Sequence, residues 1–111
     1  MTYLRKISNQ ELRVLNQLVS RAKNLVLESN WQNDLLVESM DDGGMGSLKL
    51  VPSNASQYRK FGGAVSNLEF DDADGVKVLV ALNIDQNGQF YEMDIWKTDH
   101  SPVIRIPEKI E

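Results

Sequence analysis

Between Val76 and Ile95 the chain alternates so regularly that few folds are open to it. Val76, Val78, Val80, Leu82 and Ile84 are apolar at every second position, as are Tyr91, Met93 and Ile95. A period of two lines one side of an extended strand with these residues. Asn87-Gly88 sits between the two runs and is a two-residue hairpin signal, because both central positions of a type I′ turn require positive φ. Closing the hairpin there pairs Ile84 with Tyr91, Leu82 with Met93 and Val80 with Ile95, which puts both apolar sets on one face. A one-residue slip would turn one set to water, so pattern and turn specify the same register.

The preceding turn obeys the same logic. If Ala73-Asp74-Gly75 forms a three-residue loop with glycine in the left-handed position, Phe70 lies opposite Val78 and Leu68 opposite Val80. Three consecutive antiparallel strands are therefore expected, over residues 64–70, 76–84 and 89–96. Shorter strands are expected at 35–40 and 47–51, separated by the turn-rich run Asp41-Asp42-Gly43-Gly44-Met45-Gly46-Ser47. Pro52 stops the second of these. An extended segment at 103–106 completes the chain.

Ahead of the strands stands one helix. Ser8-Asn9-Gln10-Glu11 is a capping box, and Ile7 and Leu12 stand where a hydrophobic staple has its two halves. Leu12, Leu15, Val19, Ala22 and Val26 recur at three- and four-residue steps, which predicts an amphipathic helix over about 8–28 with Asn30 as its cap. Helix first and meander after predicts an α+β domain. The N-terminal helix packs on one face of a curved antiparallel sheet of about four to six strands. The order is similar to that of cystatin-like folds, a likeness that carries no function.

Length and composition bound the function. With 111 residues the chain is expected to be one domain over residues 1–111, able to bury a core without staples. It contains no cysteine, which removes thiol catalysis and cysteine-based zinc sites, and its single histidine, His100, removes histidine-rich ones. The net charge of −4 argues against nucleic acid as a partner. That charge is uneven: residues 1–60 hold eight Lys/Arg against six Asp/Glu, and residues 61–111 hold four against ten. An acidic half points to a basic protein partner, although acids in turns also simply keep small domains soluble. The longest apolar run is Val78–Leu82, too short for a membrane span, and no secretory signal is visible, so a cytoplasmic protein is expected.

Asp41–Ser47, Asp74-Gly75-Val76 and Tyr91-Glu92-Met93-Asp94-Ile95-Trp96-Lys97 together carry a resemblance. The chain resembles a family of small bacterial domains of unknown function that show an Asp-Gly-Gly-Met-Gly-Ser segment and a late Glu-x-Asp-x-Trp-Lys segment ending near Ser-Pro, here Ser101-Pro102. His100 departs from the apolar or aromatic residue expected there. The family implies no chemistry. A looser likeness to immunity proteins of bacterial toxin systems implies a protein-binding role.

Among constellations, Glu92 and Asp94 lie two apart on a strand and so share a face about 7 Å apart. Buried at an effective dielectric near 20 they would repel by about 2 kcal/mol, and in water by far less, so a solvated docking face suits them better than paired acid–base work. The parity that turns Met93 inward places Phe90 and Trp96 on that same face. We therefore expect Phe90, Glu92, Asp94 and Trp96 to bind a partner, aromatics anchoring and carboxylates steering. The competing reading is that Phe90 and Trp96 cover a second small core beneath residues 103–106.

Asp72–Gly75 and Asp85–Gly88 faintly resemble calcium loops without a full ligand set, and turn chemistry accounts for both. Gly43, Gly44 and Gly46 invite a phosphate cradle, but no Gly-Lys-Ser/Thr follows and Asp41 and Asp42 would repel an anion. The expected function is thus a non-enzymatic protein-interaction module for a basic partner, with no cofactor and no metal. The alternative is a small hydrolase or ligand-binding enzyme using Glu92 and Asp94 near the Asp41–Ser47 loop. A homodimer that pairs sheet faces is a third reading.

Overall fold

The structure is a computed structural model and describes residues 3–23, 25, 27, 29–53, 55 and 57–110. Its elements are β1 (Arg5–Lys6), α1 (Asn9–Arg21), α2 (Trp31–Asp34), β2 (Leu36–Ser39), β3 (Leu48–Val51), β4 (Phe61–Asp71), β5 (Lys77–Asp85) and β6 (Phe90–Lys97). The strands form one open six-stranded sheet in the order β1-β2-β3-β6-β5-β4, every neighbouring pair antiparallel.

The capping box at the start of α1 is formed in full: Glu11 N–H donates to Ser8 Oγ at 3.1 Å and Ser8 N–H donates to Glu11 Oε1 at 2.9 Å. The far end corrects the expected helix, which stops at Arg21 because Ala22 is already extended at ψ 151°. Leu25 and Leu27 both pack against the core. Two residues on one side, two positions apart, suit an extended chain and not a helix. Residues 24, 26 and 28 of the expected helix lie outside the described ones. Asn30 does not close α1 but precedes α2, a single turn that the sequence pattern did not predict.

One apolar cluster binds the elements together. Val14, Leu15 and Leu18 of α1 are fully buried and belong to the same cluster as Val37, Leu50, Leu68, Val78, Val80, Leu82, Met93 and Ile95. Residues of α1 contact β4 and β5, and Ser66 Oγ on β4 donates to the Leu18 carbonyl at 2.7 Å. The sheet face that carries this cluster is the inner face. Val103 and Ile106 also pack against it, so the competing reading of a second core under the C-terminal segment is not met among the described residues.

Both long hairpins close on three-residue loops. Asp72 N–H donates to the Val76 carbonyl at 2.9 Å around Ala73–Gly75, with Gly75 at φ 82° as expected. At the second hairpin Asp85 N–H donates to the Gln89 carbonyl at 2.8 Å, and Gly88 has φ 81°. That loop is Gln86–Gly88, not the two-residue Asn87-Gly88 turn. The Asp85 carboxylate decides it, since Oδ1 accepts from Asn87 N–H at 2.8 Å and from Gln89 N–H at 3.1 Å. The longer loop offsets the register by one, and a bulge at Tyr91 restores it. Leu82 therefore does face Met93 and Val80 faces Ile95, but Ile84 faces Phe90 and not Tyr91.

No helix among the described residues is long and apolar enough to cross a membrane.

Candidate functional site

The outer face of the sheet, opposite the cluster, is built in rows set by the register. One row runs Glu38, Lys49, Glu92, Asn83 across β2, β3, β6 and β5. The next runs Asp94, Ala81, Asn67 and the third Trp96, Leu79, Glu69 across β6, β5 and β4, with Lys77 and Asp71 beyond them. Trp96 is 46% exposed and Leu79 41%, so the centre of this face presents an indole and an isobutyl group to solvent. Of the residues expected there, Glu92, Asp94 and Trp96 occupy it.

Phe90 does not. It is 1% exposed and meets Trp31 edge-on at 5.1 Å between ring centroids. The Tyr91 bulge inverts the parity of Phe90 on β6, which turns its ring inward and takes it off the outer face.

A groove of about 560 Å³ crosses the outer face, with Leu79 and Ala81 on β5 between Asn67 and Glu69 on one side and Asp94 and Trp96 on the other. Ala81 makes the hollow, being the smallest side chain in its row. Asp94 Oδ2 accepts from Asn83 Nδ2 at 2.7 Å, which fixes the carboxylate. The indole of Trp96 meets the ring of His100 at 4.5 Å in a T-shaped contact. His100 reaches it from a turn with φ 68°, the one non-glycine residue in the left-handed region among those described. Its contact depends on the reversal after Lys97, which a linear pattern does not reveal.

Glu92 lines a different hollow of about 480 Å³, with Lys49, Arg59 and Tyr91. Burial, and then the neighbouring Asp94, hold its carboxyl above the ordinary value, against the pull of Lys49 and Arg59. Arg59 is committed elsewhere. It donates from both terminal nitrogens to the Leu50 carbonyl at 2.9 Å and lies 5.2 Å from the centre of the Tyr91 ring.

The Asp41–Ser47 loop closes on itself. Asp42 accepts from the amides of Met45 (3.1 Å), Gly46 (3.3 Å) and Ser47 (2.9 Å). Burial raises the Asp42 pKa, but the amides and hydroxyl of the loop outweigh it and hold the group below its ordinary value. The amides that a phosphate would need are thus already given to an internal anion. Ser47 Oγ accepts from Ile95 N–H at 2.9 Å and donates to the Ile95 carbonyl at 3.2 Å, fastening the loop to β6. A Cβ on Gly44 would stand 3.1 Å from Pro102, and Val103 N–H donates to the Gly44 carbonyl at 3.3 Å. The loop clips the C-terminal segment to the sheet.

Lys97 completes that clip, a role sequence reasoning missed. It has no exposed surface, and its Nζ donates to Asp72 Oδ2 at 2.8 Å, Asp74 Oδ2 at 2.7 Å and the Pro102 carbonyl at 3.3 Å. Asp72 also accepts from the amides of Ile104 (2.7 Å) and Arg105 (3.0 Å). The resemblance to calcium loops resolves in the same way, with Asp72 occupied by turn and tail amides and Asp85 Oδ1 by turn amides. Among the described residues no group of three or more His, Asp or Glu is placed to hold a metal ion.

Comparison with known proteins finds one family. Residues 4–107 match the family described as "Domain of unknown function (DUF6984)". The chain belongs to that family. The match spans every strand and both helices. No curated protein and no solved structure matches the chain.

Proposed function

We propose that this member of the family is a non-enzymatic interaction module whose outer sheet face binds a basic protein partner. In this reading α1 closes the inner face and leaves the opposite one for recognition. The observation that carries it is the pairing of a half-exposed indole and leucine, Trp96 and Leu79, with the carboxylates of Glu69, Asp71, Glu92 and Asp94 around them. Lys77 and Lys49 neutralise part of that field, at 3.5 and 3.7 Å from Glu69 and Asp71 and at 3.7 Å from Glu38, and the remainder is acidic. Large aromatics anchor and carboxylates steer, so a cationic surface with an apolar centre is the complement. Neutralisation of a toxin, the toxin being the basic partner, is the form of this reading that the looser sequence likeness favours.

The test is calorimetric titration with an alternating lysine–arginine octapeptide over a salt series, comparing wild type with the Glu92→Lys/Asp94→Lys double variant. Affinity that falls with salt, and falls about tenfold or more in the double variant, supports the module. Binding that ignores both salt and substitution contradicts it.

A further inference from the structure

We propose that the groove over β4, β5 and β6 is a receptor for an arginine side chain of the partner. This rests on the reading of the outer face as a recognition surface and specifies what that surface selects. The hollow has three chemically distinct parts. Leu79 and Ala81 give an apolar bed for an aliphatic stem. Trp96 stands beside that bed, cross-strand from Leu79, and presents an indole whose orientation the His100 ring supports. Asp94, cross-strand from Ala81, supplies the charge.

The carboxylate is prepared for an outside cation. Asn83 occupies its Oδ2, no hydrogen-bond donor among the described residues occupies Oδ1, and no lysine or arginine among them lies within 4.0 Å of it. The cations nearby are engaged otherwise. Lys77 pairs with Glu69 and Asp71, and Arg21 at the groove's end donates to the Asn67 carbonyl at 3.4 Å. A carboxylate and an indole bordering one apolar hollow discriminate between the two basic side chains. A guanidinium is planar, weakly hydrated and able to stack on the indole while its edge meets the carboxylate; an ammonium is compact and strongly hydrated. The groove therefore favours arginine over lysine, and its open form suits a side chain displayed on a protein surface.

The test titrates the full chain, labelled with nitrogen-15, with hexa-arginine and with hexa-lysine at low salt. The two indole N–H resonances serve as reporters, Trp96 on the groove and the half-buried Trp31 against Phe90, away from it. The expected result is about threefold to fivefold tighter binding of hexa-arginine, with the Trp96 indole shifting and the Trp31 indole unmoved. In Trp96→Leu, with Trp31 reporting an intact fold, both peptides still bind and the preference for arginine falls to about one. Equal affinities in the wild type, or a preference that survives Trp96→Leu, overturn the arginine receptor while leaving the basic-partner reading standing. Failure of both peptides to bind removes both readings.

Discussion

Lys97 is a lysine without solvent, and its surroundings explain how that is tolerated. Burial disfavours its charged form, but the hydrogen bonds and charges of Asp72 and Asp74 outweigh the penalty and hold its pKa above the ordinary value. For Asp72, burial again opposes, and Lys97 with the amides of Ile104, Ala73 and Arg105 holds the carboxyl far below its ordinary 3.8. A carboxyl depressed in the folded state stabilises the fold above its unfolded pKa and loses that contribution as pH falls below it. Denaturant midpoints are thus expected to fall as pH drops below about 4, and Asp72→Asn should flatten that fall while lowering the midpoint at neutral pH. Glu92 has the opposite sign. Its raised pKa makes ionisation cost stability as pH rises, so Glu92→Gln should leave the neutral-pH midpoint unchanged or slightly higher. Lys97→Met should free the tail, and exchange of the Ile104 and Arg105 amides is expected to quicken by about tenfold or more. Lys97 lies on the face opposite Glu92. Its partners lie 23 and 25 residues away on a hairpin turn, and nothing in local pattern names them.

At the scale of elements, β6 shows how a register can be read correctly from an incorrect turn. The Asp85 side chain makes a three-residue loop where the Asn-Gly pair signals two, and the Tyr91 bulge compensates within three residues. The inward set from Leu82 and Met93 onward was legible because apolar alternation carries it. The exception, Phe90, was not, because a bulge has no signature in a period of two. Its burial predicts that Phe90→Ala destabilises by about 3–5 kcal/mol in chemical unfolding, whereas a surface residue of a recognition face would cost little. Gly88→Ala should cost about 1 kcal/mol, since that position has φ 81°. The capping box was legible in four residues, and Ser8→Ala is expected to cost about 1 kcal/mol. The length of α1 was not, because Leu25 continues the helical spacing from Leu18 and Ala22 as readily as it begins an extended run with Leu27. The two-residue strand β1 was too short for any periodic reading. It is fixed by tertiary partners, pairing with Val37 and Leu36 while Arg5 meets Glu11 at 2.8 Å.

Over the whole molecule the two sheet faces do different work. The inner face is held by one cluster, and the tail is tied across its end by Asp42, Ser47, Asp72 and Lys97, so the segments with the most distinctive composition serve stability. The outer face keeps an exposed indole amid acids, and it is there that a basic partner is expected to dock. The acidic bias of the second half was visible from charge counts, and Glu92, Asp94 and Trp96 from strand parity. The groove itself needed the pairing of β4 with β5, which two bulges shift near Gly62 and Val65. The direct test is acrylamide quenching of Trp96 fluorescence in a Trp31→Phe background, free and saturated with the lysine–arginine octapeptide. The account predicts ready quenching in the free chain, shielding on saturation, and return of quenching when salt displaces the peptide. Saturation that leaves Trp96 as accessible as before would contradict it.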